Sequence, residues 1–244
     1  MLRRTVRTLL TLVMIMAGAI VGVGATSGTA HADECYTWSR TLTQGSSGAD
    51  VTQLQIRVAG WVTSGERLSY DGVYGARTTA AVKKFQSAYG LPADGVAGSQ
   101  TFSKIYALQD ADCTPVHFAY SELNKCNSDW SGGAVSAATA KANALKTMWK
   151  LEAMRHALGD VPITISSGFR SYACNSAVGG ASTSRHLYGD AADLTGSPSL
   201  CTLAKQARVH GFSEILGPGY PDHNDHAHVA LDPSPYWSAP NCGI

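Results

Sequence analysis

The chain has 244 residues, of which 15% are charged and 44% hydrophobic, with a formal net charge of +1. That length allows two domains of ordinary size. The near balance of charge gives no electrostatic footprint for nucleic acid, which calls for a clustered basic excess.

In chain order, Arg3, Arg4 and Arg7 precede an apolar run from Leu9 to Val23 and the small-residue stretch Ala30-His31-Ala32. This is the layout of a secretory signal peptide, expected over residues 1–32 with the mature chain starting at Asp33. Glycines interrupt the apolar run and a cleavage pattern ends it, so no retained membrane span is expected. Removing the three arginines of that segment takes the formal charge from +1 to −2. The six cysteines all lie beyond the signal, and in a secreted, extracellular chain they predict three disulfides rather than a thiol metal site. Cys35 and Cys113 bracket a distinct region, so the economical pairing is sequential: Cys35 with Cys113, Cys126 with Cys174, Cys201 with Cys242. Each would contribute about 2–4 kcal/mol by restricting the unfolded chain.

Between the first two cysteines the chain repeats itself. Asp71-Gly72-Val73-Tyr74-Gly75-Ala76-Arg77-Thr78 is echoed by Asp94-Gly95-Val96-Ala97-Gly98-Ser99-Gln100-Thr101. Each copy reads as a glycine turn opening a helix, with Val82, Phe85 and Tyr89, then Phe102, Ile105 and Leu108, at helical spacing. A preceding helix with Val51, Leu54 and Val58 completes a three-helix unit, expected as a domain over 33–113. From about Leu42 to Leu108 these residues resemble the peptidoglycan-binding module attached to many bacterial cell-wall hydrolases, which implies wall targeting.

The remainder, 114–244, is long enough for one further domain. Ala137 to Leu158 is its best helix, with Leu145, Met148, Leu151, Met154 and Leu158 on one stripe; Trp149 reads as a core residue and Gly159 with Pro162 ends the run. Pro162 to Ser166 reads as a strand ending at Ser167-Gly168-Phe169-Arg170-Ser171. A guanidinium at such a strand end suits an anion, which makes Arg170 a candidate contact. Leu200 to His210 reads as a helix, and Phe212–Leu216 and His226–Leu231 as short strands. The expected class is α+β, a small, mostly antiparallel sheet flanked by helices.

Two stretches carry the chemistry: Ser184-Arg-His-Leu-Tyr-Gly-Asp-Ala-Ala-Asp193 and Asp225-His226-Ala227-His228. His186, Asp193 and His228 form a ligand set suited to catalytic zinc, which keeps three protein ligands and one open position. On a single helix His186 and Asp193 would stand about 10 Å apart, too far for one ion. A turn at Tyr188-Gly189-Asp190, followed by a strand from Ala191 to Leu194, folds Asp193 back beside His186. In a strand His226 and His228 share a face and Asp225 points away. Asp225 can serve the site only if it still belongs to the turn begun at Pro221-Asp222.

Ser184-x-His186-x-x-Gly189-x-Ala191-x-Asp193, the upstream Ser-Gly-Phe-Arg-Ser segment and Asp225-His226-x-His228 resemble the zinc D-Ala-D-Ala carboxypeptidases, whose catalytic domain is hedgehog-like. The resemblance implies one Zn2+ held by His186, Asp193 and His228, with Asp225 as general base and His226 stabilising the oxyanion. It makes Arg170 a partner for a substrate or transition-state anion, while Ser184 positions substrate or shapes the turn. Many relatives carry Glu where this chain has the shorter Asp225. The implied activity is hydrolysis of the terminal D-Ala-D-Ala bond of peptidoglycan stem peptides, releasing D-alanine from the cell wall by a secreted monomer. Wall endopeptidase, D-Ala-D-Ala dipeptidase and non-catalytic wall binding are the alternatives. No Ser-x-x-Lys with its partner motifs is present, which sets aside a serine enzyme.

Overall fold

The structure, a computed structural model, describes residues 35–244; the signal peptide expected over 1–32 lies outside the described residues. Three short helices come first: α1 (Ala49–Arg57), α2 (Ala76–Ala88) and α3 (Ser99–Ala107). Val51 and Leu54, Val82 and Phe85, and Phe102 and Ile105 meet in one buried cluster with Trp38, Leu42 and Tyr74, so the spacing of the apolar residues does build a common core.

The repeated glycine turns are held by a device placed one helix earlier in the chain. Gln55 of α1 donates from Nε2 to Asp71 Oδ1 (2.9 Å), the Val73 carbonyl (3.1 Å) and Thr78 Oγ1 (3.2 Å), and its Oε1 accepts from the Gly72 N–H (3.0 Å). Gln86 of α2 makes the same set with Asp94 (2.8 Å), Val96 (3.0 Å), Thr101 (3.1 Å) and Gly95 (2.9 Å). The Asp-Gly-x-x-Gly-x-x-Thr pattern is therefore a turn whose polar groups a buried glutamine satisfies. Gln86→Ala should lower stability by about 1–3 kcal/mol, because it leaves buried donors and acceptors unpaired. Urea denaturation checks this, and an unchanged midpoint would mean that the turn does not need its glutamine.

After α4 (Tyr120–Leu123) comes α5 (Ala137–Ala157), started by Ser136, whose Oγ accepts from the Thr139 N–H. This helix serves two cores. Ala140, Ala144, Met148, Leu151 and Met154 enter the cluster under the sheet. Trp149 and Ala153, on another side of the helix, enter the cluster of α1–α3, and the Trp149 indole donates to the Cys113 carbonyl (3.2 Å). The single stripe expected for this helix is accompanied by a second apolar face.

The chain continues through β1 (Thr164–Ser167), α6 (Tyr172–Ala177), β2 (Ala191–Thr195), α7 (Leu200–Val209), β3 (Glu214–Leu216), β4 (Ala227–Ala230) and β5 (Tyr236–Ser238). The strands lie in the order β1-β2-β4-β3-β5. All neighbours are antiparallel except β3 and β5, so the α+β class stands with one parallel pair added. β5 is an addition to the expected strands, since Pro233 and Pro235 just before it read as loop. β3 starts at Glu214 rather than Phe212 because the Phe212 N–H still bonds back to the Ala207 carbonyl (3.0 Å) across Gly211, closing α7. Alternation sends Ala192 and Leu194 of β2, Ile215 of β3, and Ala227 and Val229 of β4 into the core, leaving Asp193 and His228 on the other face. The three disulfides pair sequentially, Cys35–Cys113, Cys126–Cys174 and Cys201–Cys242. Among the described residues no helix is long and apolar enough to cross a membrane.

Candidate metal centre

The site is built on the pairing of β2 with β4, where Asp193 and His228 face each other across the ladder. Directly opposed residues of an antiparallel pair have their Cβ atoms about 4.5–5.5 Å apart, close enough to share one ion. His186 arrives from a 3-10 turn, Arg185–Tyr188, closed by Gly189 at φ 74°. A side chain at Gly189 would strike the Ala140 backbone of α5, so this position both turns left-handed and lets α5 approach. The turn expected from the sequence is thus the one that returns the chain into β2.

The three side chains converge. His186 Nε2 lies 3.0 Å from Asp193 Oδ1 and 3.1 Å from His228 Nδ1, and His228 Nδ1 lies 2.9 Å from Asp193 Oδ1. All three residues are buried. The outer ring nitrogens are already committed: His186 Nδ1 faces the Gly168 carbonyl (2.5 Å), and His228 Nε2 faces Glu214 Oε1 (2.9 Å). Burial lowers the pKa of His186, against the pull of Asp193. Burial also acts to lower His228, but hydrogen bonds to Asp193 and Glu214 outweigh it and hold it at about 9 without metal. Asp193 shows the same contest: burial would raise it, yet His186 and His228 keep it well below the usual carboxylate range.

These assignments test whether a cation fits. With its proton on Nδ1 for Gly168, neutral His186 turns a lone pair toward Asp193 Oδ1, and no proton serves that 3.0 Å contact. A cation among the three atoms removes the repulsion and displaces the remaining proton from His228. Tetrahedral ligands at about 2.0–2.1 Å from zinc lie about 3.3 Å from one another, so a small outward adjustment suffices. Two imidazoles and one carboxylate, each backed by an outer partner, suit zinc.

Arg170 leaves the end of β1 and donates from Nη2 to Asp193 Oδ2 (2.7 Å) and from Nε to Ser167 Oγ (3.0 Å). Its first partner is thus the carboxylate of the trio. Asp225 stands before β4, in the turn, with its side chain 89% exposed. It accepts from His226 Nδ1 (2.8 Å), while His226 Nε2 lies 3.7 Å from Asp193 Oδ1. β4 starts only at Ala227, so Asp225 and His226 both precede the strand and its alternation does not govern where Asp225 points. The hydrogen bond from His226 lowers the Asp225 pKa. Ser184 caps the 3-10 turn through its carbonyl, which accepts from the Leu187 N–H (3.1 Å).

Sequence reasoning missed three participants. Glu214 reaches His228 from β3, whose residue Leu216 is the direct partner of His228, so it is a diagonal neighbour that no motif spacing announces. Gly168 orients His186, and a side chain there would meet the Leu123 backbone of α4. His223, outside both motifs, packs its ring 4.7 Å from His226 and 6.0 Å from His228.

Residues 116–230 match the family Peptidase M15, and residues 47–105 match the putative peptidoglycan binding domain. The chain is 62% identical over 253 aligned positions, 99% of each chain, to the zinc D-Ala-D-Ala carboxypeptidase of Streptomyces albus G. It belongs to the peptidase M15 family. The matched M15 segment spans the whole converging trio together with Arg170, Glu214, His223, Asp225 and His226. Over 65 residues the chain is 40% identical to the spore cortex-lytic enzyme of Bacillus cereus, covering 26% of this chain and 24% of that one. The SleB N-terminal domain is similar at 35% identity, covering 30% of this M15 peptidase and 96% of that chain, with a TM-score of 0.27.

Proposed function

We propose that the chain hydrolyses the C-terminal D-Ala-D-Ala bond of peptidoglycan stem peptides, releasing D-alanine, with one zinc held by His186, Asp193 and His228. The observation that carries this reading is the convergence of His186 Nε2, Asp193 Oδ1 and His228 Nδ1 within 3.1 Å. Its support is the end-to-end similarity to the Streptomyces albus G carboxypeptidase. Residues 33–113 form the wall-binding domain and 114–244 the peptidase, and the mature chain acts outside the cell as a monomer. Disulfides agree with an oxidising compartment.

Zinc, when bound, supplies Lewis acidity toward the scissile carbonyl and a water acidified to a pKa of about 7. The protein's own groups do the rest. Asp225, held ionised by His226, takes the water proton and delivers it to the departing D-alanine amine. His226 turns Nε2 toward the reacting centre while Nδ1 stays on Asp225, which places the ring to stabilise the developing oxyanion. Arg170 uses Nε and Nη2 on Ser167 and Asp193, which leaves Nη1 for the substrate carboxylate. Ser184 shapes the wall of the site beside His186.

The deciding experiment follows D-alanine release from a synthetic stem peptide ending in D-Ala-D-Ala, with and without chelator. Release should stop on chelation and return with added zinc. Cleavage of cross-links or free dipeptide without release of D-alanine from the stem peptide would replace this reading by the endopeptidase or dipeptidase one. Glu214→Gln should weaken zinc binding by about 10- to 100-fold, the usual effect of losing an outer partner of a metal-binding histidine. Competition with a fluorescent chelator measures this, and an unchanged affinity would remove Glu214 from the site.

A further inference from the structure

The helical module and the peptidase domain meet at a second, unassigned cavity of about 290 Å³. The module side supplies Arg67, Tyr70 and Arg77, and the peptidase side supplies Lys150, Gly211 and Ser213. Three cations line this space and no carboxylate does. Among the described residues none of these cations makes an ion pair.

Their environment is built. Lys150 is 2% exposed, and its Nζ is held by the carbonyls of Ala59 (3.2 Å) and Gly211 (2.9 Å). Arg67 donates from Nη1 to the carbonyls of Asp232 (2.8 Å) and Pro233 (3.1 Å), which fixes it across the junction and leaves Nε and Nη2 uncommitted. Lys146 adds a fourth cation, 5.2 Å over the Tyr70 ring, and the Tyr70 hydroxyl is buried without a hydrogen-bond partner. The buried Lys150 amine is held by these carbonyls and the Phe212 ring face and has no acidic partner, the countercharge such groups normally have. Burial, with Arg67 adding to it, lowers Lys150 to about 7.

We infer that this junction cavity binds an oxyanion of the wall polymer, a carboxylate or a phosphate. The inference rests on the wall-polymer reading above but concerns a site separate from the metal trio. The bound anion supplies the missing countercharge and ties the polymer to both domains at once.

The test is sedimentation binding of the full mature protein to insoluble wall sacculi. Arg77→Glu lies in the first turn of α2, where an acid suits the helix dipole, so folding is retained. This variant should bind at least about tenfold more weakly, while Lys205→Glu, with the same charge change at an exposed position of α7, should bind as wild type. Sacculi stripped of phosphate by hydrofluoric acid, and sacculi with amidated carboxylates, identify the source: the treatment that brings wild type down to the Arg77→Glu level removes the ligand. Wild-type affinity in Arg77→Glu, an equal loss in Lys205→Glu, or indifference of wild type to both treatments would overturn the inference. Release of D-alanine from a soluble stem peptide, run in parallel, should be unchanged in both variants. Its absence in wild type would count against the proposed function alone.

Discussion

His186→Ala should lose bound zinc and turnover together. The ring supplies one of three converging atoms, and its Nδ1 contact with Gly168 sets which nitrogen faces the centre. Two protein ligands do not make the three-ligand site that catalytic zinc ordinarily uses. The metal contributes several kcal/mol of transition-state stabilisation, so kcat should fall by about 10³-fold or more. Metal analysis of the purified variant against wild type is the direct measurement. Because the substitution also empties a buried site, near-UV circular dichroism should accompany it. A folded variant that keeps stoichiometric zinc would take His186 out of the ligand set.

Asp225→Ala should do the reverse, keeping zinc while losing most of kcat, by about 10²- to 10⁴-fold for a positioned base. The separation comes from geometry: Asp225 is exposed and touches the trio only through His226. Asp225→Asn can keep a polar contact to His226 Nδ1 but cannot accept a proton, so it should fall with the alanine variant. If Asn restores most of kcat, Asp225 orients His226 and the base lies elsewhere. KM should move little in either variant, since nothing places Asp225 in substrate binding.

Much of this architecture is legible in residues close together in the chain. The apolar stripes of α1–α3 and α5 depend on a 3.6-residue period, and the return from His186 to Asp193 depends on one glycine turn. The clustering of Asp225, His226 and His228 is likewise local. The pairing of cysteines is open to a correct guess because Cys35 and Cys113 enclose a recognisable unit.

The sequence by itself determines the identity of the three converging residues, the helical repeat and the α+β class, because periodicity and turn chemistry act over a few residues. Only the tertiary structure decides which partners lie behind them. Glu214 reaches His228 because β4 lies between β2 and β3 and pairs with both, Gly168 reaches His186 because β1 ends against α4, and Trp149 joins the other core because α5 lies between two clusters. Strand order and the approach of distant backbones are set by the packing of the whole core, and that information is spread over the chain rather than written in any one stretch.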